Sequence, residues 1–163
     1  MAAPAPWRSW LLDNGSLTQR LVSASRGRFH VEVLRQGFYR PSRSEALALG
    51  LPPRRLALIR EVQLCGNGQP WVYARSVFPV STLSGAERRL ADIGNRPLGS
   101  VLFRDPSMQR DPLQIGELQL ADGTRLWARR SVFHLSGKPL LVCEVFLPAL
   151  ESVEYPLRRN SFG

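Results

Sequence analysis

The sequence lacks several features that mark common classes of protein. It contains one lysine, Lys138, so arginine supplies nearly all the positive charge behind the formal net charge of +9. These arginines are scattered, with no basic stripe between aromatic residues, which argues against a nucleic-acid-binding surface. No stretch approaches the roughly 20 apolar residues of a membrane span, and the start of the chain lacks the apolar core of a signal peptide. We therefore expect a cytoplasmic protein without a membrane span.

Cysteine is also scarce, which excludes a disulfide framework. Cys65 and Cys143 lie in apolar, strand-like runs and form no C-x-x-C motif. We predict buried free thiols, which suit a reducing compartment. His30 and His134 are far apart along the chain, so no metal-ligand cluster of the usual spacing includes them. The sequence therefore predicts no metal site.

Alternating apolar and polar residues, separated by turn residues, indicate a sheet. We predict strands at residues 28–39, 55–65, 70–80, 113–120, 124–135 and 139–147. Tight turns join three pairs of these strands at residues 66–68, 121–123 and 136–138, which read GNG, ADG and SGK, and Asn-Gly is among the strongest hairpin signals. Because parallel pairs need longer crossovers, these hairpins predict an antiparallel sheet.

Short helices are predicted from their capping residues. Candidate helices follow Ser16 and Ser84, and each serine has a Gln or Glu three residues later, which is the spacing of a capping box. Two more are predicted at residues 97–103 and 42–49. The first of these begins with a proline, which suits the first position of a helix.

Together these elements predict a single α+β domain at residues 1–163. Its core would be one six-stranded antiparallel sheet with short helices packed on it. A chain of 163 residues is long enough to bury such a core without disulfides or a metal. The tail at residues 151–163 has two alternatives, a flexible segment or a cover over an edge strand.

Two ionisable residues lie on strand faces that otherwise carry hydrocarbon. Arg60 alternates with Leu58 and Val62 on one face of the second strand, and Glu144 stands among apolar residues of the last strand whichever face is considered. A buried charge is costly unless it is paired or kept for a ligand. Two interpretations are open, a structural Arg60–Glu144 ion pair and a site for a small polar molecule.

Other candidates follow from helix starts and from further arginines. Leu17 and Leu98 lie in first turns, whose backbone amides have no intrahelical acceptor and can bind a carboxylate. Arg75 is either a substrate-steering residue or a residue of the rim. Arg129 and Arg130 point to opposite faces of their strand, so at most one of them faces the interior.

Five segments, in their order along the chain, resemble bacterial chorismate pyruvate-lyase, the family that acts in ubiquinone biosynthesis. They are residues 79–85 (PVSTLSG), 97–99 (PLG), 126–131 (LWARRS), 135–141 (LSGKPLL) and 144–148 (EVFLP). The resemblance extends from about residue 10 to residue 149. It implies an antiparallel α+β fold whose helices form flaps over an enclosed ligand site.

The resemblance also implies a reaction, the removal of pyruvate from chorismate to leave 4-hydroxybenzoate. No metal or organic cofactor is expected, the partners are the small-molecule substrate and product, and we expect a monomer. The flaps imply that 4-hydroxybenzoate is released slowly.

The ligand-contacting positions of the family fall on Arg60, Leu98, Glu144 and Leu17, the last of which is commonly methionine in the family. Chorismate carries two carboxylates and a ring hydroxyl. Arg60 would bind a carboxylate through two hydrogen bonds, and the amides of Leu17 and Leu98 would complete the anion site. Glu144 would accept a hydrogen bond from the ring hydroxyl, with a role as general acid or base as the alternative. Arg60 and Glu144 are thus the predicted catalytic residues.

A non-catalytic domain is the alternative. The same fold resembles the effector-binding domains of a family of bacterial transcription regulators, which bind small ligands without converting them. Such domains normally follow a winged helix-turn-helix segment, and we expect no room for one before residue 28.

Overall fold

The computed structural model describes residues 3–156, which form an open antiparallel sheet packed with short helices. The helices are α1 (Ala5–Leu12), α2 (Leu17–Ala24), α3 (Arg43–Leu49) and α4 (Leu98–Leu102). The strands are β1 (Phe29–Tyr39), β2 (Ala57–Gly66), β3 (Gln69–Pro79), β4 (Gln109–Arg110), β5 (Gln114–Gln119), β6 (Arg125–Leu135) and β7 (Lys138–Phe146). Segments of 3₁₀ helix cover Val80–Thr82, Gly85–Asp92 and Pro148–Leu150.

The strand order is β1-β2-β3-β7-β6-β4, and β5 also pairs with β6. Every pair is antiparallel, which confirms the predicted sheet. The six predicted strands are all present, with ends shifted by two residues at most. The turns at Asn67-Gly68 and Ser136-Gly137 have φ angles between 50° and 77°, and a two-residue hairpin turn of type I′ needs positive φ at both positions.

The predicted count of six strands is wrong, because Gln109–Arg110 forms a seventh. This short strand pairs with Phe133 and His134 of β6, and β5 continues along the same edge of β6. Pro112 lies between β4 and β5, and a proline has no N–H to continue the hydrogen-bond ladder. A strand of two residues is too short for alternation to reveal it.

The helix predictions are confirmed in position but not in every cap. Ser16 caps α2, since its Oγ accepts a hydrogen bond from the backbone N–H of Gln19 at 3.2 Å. The predicted capping box at Ser84 and Glu87 is wrong, because that segment is 3₁₀ and the Ser84 side chain makes no capping hydrogen bond. The Glu87 carboxylate instead pairs with Lys138, with 3.4 Å between Oε2 and Nζ.

Helix α1 is absent from the sequence-based prediction. Two prolines, Pro4 and Pro6, stand at its start, where they are compatible with a helix but do not indicate one. The helix contributes Trp7, Trp10 and Leu11 to the core. Tertiary burial of these side chains therefore stabilises a helix of eight residues that would be marginal alone.

Two large apolar clusters cover one face of the sheet. The first joins α1 and α2 to the strands, and within it Trp7 stacks on Phe146 with 6.3 Å between ring centroids. The second joins α4 and the 3₁₀ segment Gly85–Asp92 to the strands around Phe78 and Phe133. A smaller cluster centred on Ile59 packs with Leu49 of α3.

The described part of the tail lies against α1. Tyr155 packs edge-on to Trp10, with 5.0 Å between ring centroids, and its hydroxyl donates a hydrogen bond to the carboxylate of Asp13. These contacts order the segment up to residue 156. The rest of the predicted tail, residues 157–163, lies outside the described residues.

The two cysteines are free thiols, as predicted, but only one of them is fully buried. Cys65 is buried and Cys143 is half-buried. Burial raises the pKa of the Cys143 thiol to about 11, so it is protonated at neutral pH. No helix of residues 3–156 is long and apolar enough to cross a membrane.

Candidate active site

A cavity lies between the two large apolar clusters, with a volume of about 40 Å³. Strands β2, β3, β4, β6 and β7 contribute to one side of its wall, and helices α2 and α4 contribute to the other. Most of the lining is apolar. Four ionisable side chains also line it, namely Arg60, Arg110, Arg129 and Glu144.

Arg60 reaches the cavity from the middle of β2 and is 2% exposed. Its Nη2 donates hydrogen bonds to the carbonyl oxygens of Gly94 and Arg96, at 3.1 and 2.9 Å. Its Nε is buried and has no hydrogen-bond partner among residues 3–156, and burial lowers the pKa of the guanidinium. Because two neutral carbonyls supply its contacts, Arg60 retains both charge and a donor for an anion.

Glu144 does not pair with Arg60, so the interpretation as a structural Arg60–Glu144 ion pair is wrong. The Oε1 of Glu144 accepts a hydrogen bond from the Nε of Arg129 at 3.0 Å. Within the described residues, Oε2 has no hydrogen-bond donor. The side chain is 13% exposed, so the carboxylate has one oxygen held and one available.

Arg129 is the counterion that the sequence did not identify. Its side chain is 1% exposed, and its Nη1 donates to the carbonyl oxygens of Trp10, Leu11 and Asp13, at 3.1, 3.4 and 2.7 Å. Arg129 stands opposite Glu144 in the pairing of β6 with β7. It therefore orients the glutamate and connects the end of α1 to the sheet.

The prediction that Arg129 and Arg130 of β6 point to opposite faces of the sheet is confirmed. Arg129 points inward, whereas Arg130 points outward and donates to the side chains of Gln114 and Ser44, at 2.6 and 2.8 Å. Alternation alone predicted that only one of them faces the interior. The choice between them depends on the register of β6 against β7, which the sequence does not reveal.

The cavity also brings together Leu17 and Leu98, the first residues of α2 and α4. Both side chains are buried, and their backbone amides have no intrahelical acceptor. Gly99 permits this approach, because a Cβ added to it would lie 2.6 Å from the Oγ1 of Thr18. All four predicted site residues thus line one cavity.

Arg110 of β4 is a further cavity residue that sequence reasoning missed. Its Nε donates to the Oγ of Ser131 at 3.0 Å, and its Nη1 makes a long hydrogen bond of 3.4 Å to the carbonyl of Asn14. The guanidinium lies 4.8 Å from the centroid of the Phe133 ring. Burial first, and then the charge of Arg129, lower the pKa of Arg110.

Arg75 lies on the opposite face of the sheet from the cavity. Its neighbours Ala74 and Ser76 line the cavity, so alternation directs Arg75 away from it. The guanidinium forms two hydrogen bonds with Glu45 of α3, at 2.8 and 2.9 Å, and one with Glu61 at 2.7 Å. Arg75 therefore attaches α3 to the sheet, and these contacts do not support a role in substrate steering.

One group of possible metal ligands forms across two strands, contrary to the expectation from sequence spacing. The ligand atoms of His30, Glu32 and Cys65 lie within 4.8 Å of one another, because His30 stands opposite Cys65 in the pairing of β1 with β2. Leu64, the neighbour of Cys65, lines the cavity. Alternation therefore places this group on the other face, apart from the candidate site.

The sequence matches one protein family along nearly all of its length. The family described as chorismate lyase matches residues 1–154. A relative from Marinobacter nauticus, named probable chorismate pyruvate-lyase, is 49% identical over 146 residues, which cover 89% of this chain and 78% of the relative. The chorismate pyruvate-lyase of Yersinia enterocolitica is 43% identical over 146 residues, covering 90% of this chain and 83% of that protein.

Solved structures of transcription regulators share the fold at low sequence identity. The C-terminal domain of the histidine utilization repressor from Pseudomonas syringae has a TM-score of 0.61 at 12% identity, covering 80% of this chain and 99% of that domain. A GntR-family transcriptional regulator from Bacillus cereus has a TM-score of 0.59 at 12% identity, covering 80% and 97%. At such identities the likeness shows the fold alone.

Proposed function

The chain belongs to the chorismate lyase family, and from that membership we propose that its cavity converts chorismate to 4-hydroxybenzoate and pyruvate. The observation that carries the proposal is a buried arginine without a counterion that shares one cavity with a carboxylate. In the part of the chain that the structure describes, the Nε of Arg60 and one carboxylate oxygen of Glu144 have no hydrogen-bond partner. An aromatic acid with a hydroxyl group needs this combination of a cation and an acceptor.

Arg60 binds the ring carboxylate in this proposal. A guanidinium can hold a carboxylate through two parallel hydrogen bonds, and the Nε of Arg60 is buried without a partner. The backbone amides of Leu17 and Leu98 complete the anion site. Leucine in place of the family's usual methionine at residue 17 conserves volume and apolarity, and a contact made through the backbone does not depend on the side chain.

Glu144 binds the ring hydroxyl. Its free oxygen accepts the hydrogen bond, while Arg129 holds the other oxygen at 3.0 Å and thereby fixes the orientation of the carboxylate. This contact places the ring carbon that bears the hydroxyl beside the only carboxylate of the cavity lining within the described residues. Glu144 is therefore also the candidate for proton transfer at that carbon.

The elimination is driven by aromatisation of the ring. The ring carbon that bears the hydroxyl loses its proton, the bond between the neighbouring ring carbon and the enolpyruvyl oxygen breaks, and the enolpyruvyl methylene gains a proton to become the methyl group of pyruvate. The atoms balance without a redox partner or an organic cofactor. The cavity contributes a reactive conformer and exclusion of water.

Helices α2 and α4 act as flaps over the site. The cavity volume of about 40 Å³ is smaller than the roughly 150 Å³ that accommodates a benzene ring in an apolar protein cavity. The two first turns must therefore separate before an aromatic acid enters or leaves. This requirement supports slow release of 4-hydroxybenzoate.

The remaining parts of the proposal concern the whole protein. It acts in ubiquinone biosynthesis as a monomer, and the chain has a single chorismate-lyase-like domain. Its free thiols suit the reducing conditions of the cytoplasm. The alternative, a sensor domain that binds an effector without converting it, has its support in the fold shared with the regulator domains.

Incubation of the protein with chorismate tests the proposal. We expect equimolar 4-hydroxybenzoate, detected by liquid chromatography, and pyruvate, detected by coupled lactate dehydrogenase. Glu144→Gln should lower kcat/KM by about 100-fold or more, whereas the surface control Glu117→Gln should leave it unchanged. Binding of chorismate without turnover would favour the sensor, and equal activity of both variants would remove Glu144 from the site.

A further inference from the structure

We propose that Arg110 binds the second carboxylate of the substrate, the one on the enolpyruvyl group that departs as pyruvate. The proposal rests on the lyase function and assigns the part of the site that distinguishes substrate from product. Chorismate carries two carboxylates, whereas 4-hydroxybenzoate carries one. A residue that holds the departing carboxylate therefore contributes to substrate binding and not to product binding.

The need for a second cation follows from the charge of the substrate. Arg60 and two backbone amides account for one carboxylate. Moving a second carboxylate out of water into the cavity is costly unless another charged donor meets it. The lining of the cavity contains two further cations, Arg110 and Arg129.

Arg129 is already committed to the protein. Its Nε donates to Glu144, and its Nη1 donates to three backbone carbonyls. The charge of Arg129 is balanced by Glu144, with 3.0 Å between the two groups. It is therefore a structural support for the glutamate, and a second substrate carboxylate needs a different partner.

Arg110 has the properties that this partner needs. It forms no salt bridge within 4.0 Å among residues 3–156. Its firm contact is the hydrogen bond to Ser131, since the bond to the carbonyl of Asn14 is 3.4 Å long, and its Nη2 has no acceptor within the described residues. The ring of Phe133 lies beneath the guanidinium at 4.8 Å and limits its movement. Arg110 is thus a cation held in position by its neighbours, with no counterion in the described part of the chain.

The position of Arg110 matches the geometry of the substrate. Arg110 stands opposite Phe133 in the pairing of β4 with β6, and Ser131 and Arg129 follow on the same face toward Glu144. Arg110, Arg129 and Glu144 all line the same cavity. The enolpyruvyl oxygen is attached to the ring carbon next to the one that bears the hydroxyl. A ring whose hydroxyl contacts Glu144 therefore presents its enolpyruvyl group at the end of the cavity where Arg110 lies.

This assignment gives Arg60 and Arg110 different effects on the two ligands. When the carbon–oxygen bond breaks, its electron pair leaves with the enolpyruvyl oxygen, and the carboxylate that Arg110 holds belongs to the same departing fragment. Arg60 holds the carboxylate that stays on the ring. Loss of Arg60 should weaken the binding of both chorismate and 4-hydroxybenzoate, whereas loss of Arg110 should weaken the binding of chorismate alone.

The test compares Arg110→Met with Arg125→Met, a control that removes the same charge from a side chain that is 71% exposed. Initial rates of pyruvate release give kcat and KM for chorismate, and calorimetric titration gives the Kd of 4-hydroxybenzoate. We expect Arg110→Met to lower kcat/KM for chorismate by about 10- to 100-fold, the usual worth of a hydrogen-bonded charge. The Kd of 4-hydroxybenzoate should change by less than about 3-fold, within the scatter of an uninvolved residue.

Each outcome decides the proposal. If Arg110→Met weakened the binding of chorismate and of 4-hydroxybenzoate equally, Arg110 would contact the ring that both ligands share or would only stabilise the fold. If neither constant changed, Arg110 would not belong to the site. If Arg110→Met does not fold, Arg110→Lys replaces it in the test, because lysine keeps the positive charge. Arg110→Lys should lower kcat/KM for chorismate by a smaller factor and leave the Kd of 4-hydroxybenzoate unchanged. An inactive wild-type protein would overturn the lyase function itself, whereas an active wild type with an unaffected Arg110→Met would overturn only this inference.

Discussion

At the scale of single residues, one cation of the cavity is paired with the carboxylate, and two cations have no counterion within the described residues. Arg129 neutralises Glu144, while Arg60 and Arg110 have only uncharged partners within the described residues. Keeping two cations without a counterion in the cavity lining costs stability. A dianionic ligand would restore the balance of charge in the cavity.

Arg129 is the residue whose removal should damage the fold most directly. Arg129→Met would leave Glu144 without its counterion and three carbonyls without a donor, so we expect the free energy of unfolding to fall by about 3–5 kcal/mol. Urea unfolding at neutral pH measures the change. The matched control is the adjacent, outward-facing Arg130→Met, which should cost less than about 1 kcal/mol. Equal losses in the two variants would contradict the assigned role.

Arg60 and Glu144 could be identified from the sequence because each interrupts an apolar run. Arg110 and Arg129 could not, because their importance depends on which strands become neighbours. Arg129 meets Glu144 only through the register of β6 against β7. Arg110 lies in a strand of two residues, which carries no periodic signal.

At the scale of secondary-structure elements, the cavity depends on a close contact between the first turns of α2 and α4. A Cβ at residue 99 would lie 2.6 Å from the Oγ1 and 3.4 Å from the Cβ of Thr18. The first distance is a clash and the second an ordinary contact. The hydroxyl of Thr18 is therefore the part of the neighbour that excludes a side chain at residue 99.

A double-mutant cycle tests this contact. Gly99→Ala should cost about 1–3 kcal/mol of unfolding free energy by overpacking and should weaken 4-hydroxybenzoate binding by displacing the amide of Leu98. Adding Thr18→Ala should remove most of the penalty, so the two changes would be strongly non-additive. Gly116→Ala is the control, because a Cβ there meets nothing within 4 Å. Additive effects at residues 18 and 99 would show that the two turns do not depend on each other.

The elements that could be predicted are those with local signals. The long strands β2, β3, β6 and β7 are largely apolar runs of nine to eleven residues, and their hairpin turns contain residues that tolerate positive φ. Helix α1 and the 3₁₀ geometry of Gly85–Asp92 could not be predicted, because packing against distant strands decides both. Ser84 has the sequence spacing of a capping box, but the backbone that follows it is not α-helical. The spacing alone therefore does not establish a helix cap.

At the scale of the whole molecule, the outer face of the sheet is joined to α3 through a charged network. Arg75 holds both oxygens of Glu45, at 2.8 and 2.9 Å. Burial on its own would raise the pKa of Glu45, but hydrogen bonds from Arg75 and Ser42 outweigh it and hold the pKa below its ordinary value of 4.5. A carboxylate with a lowered pKa in the folded state stabilises the fold above its unfolded pKa and loses that contribution as the pH falls.

Stability should therefore decline on the acid side, beginning below about pH 4.5. Glu45→Gln should be less stable than the wild type at pH 7, and the difference should shrink between pH 5 and pH 3 as the wild-type glutamate takes up its proton. Urea unfolding at several pH values measures this difference. The control is the exposed Glu117→Gln, which should cost less than about 1 kcal/mol of unfolding free energy at pH 7. A constant gap for Glu45→Gln would mean that Glu45 has no lowered pKa.

In the proposed mechanism, α2 and α4 are flaps that separate before an aromatic product leaves the cavity, whose volume is about 40 Å³. If this opening is slower than the elimination, the first turnover is fast and later ones wait for release. Rapid mixing with excess chorismate should then show a burst of 4-hydroxybenzoate close to one equivalent of enzyme, followed by a slower steady rate that added 4-hydroxybenzoate inhibits. Linear product formation from the first turnover, without inhibition, would mean that chemistry and not flap opening limits the rate.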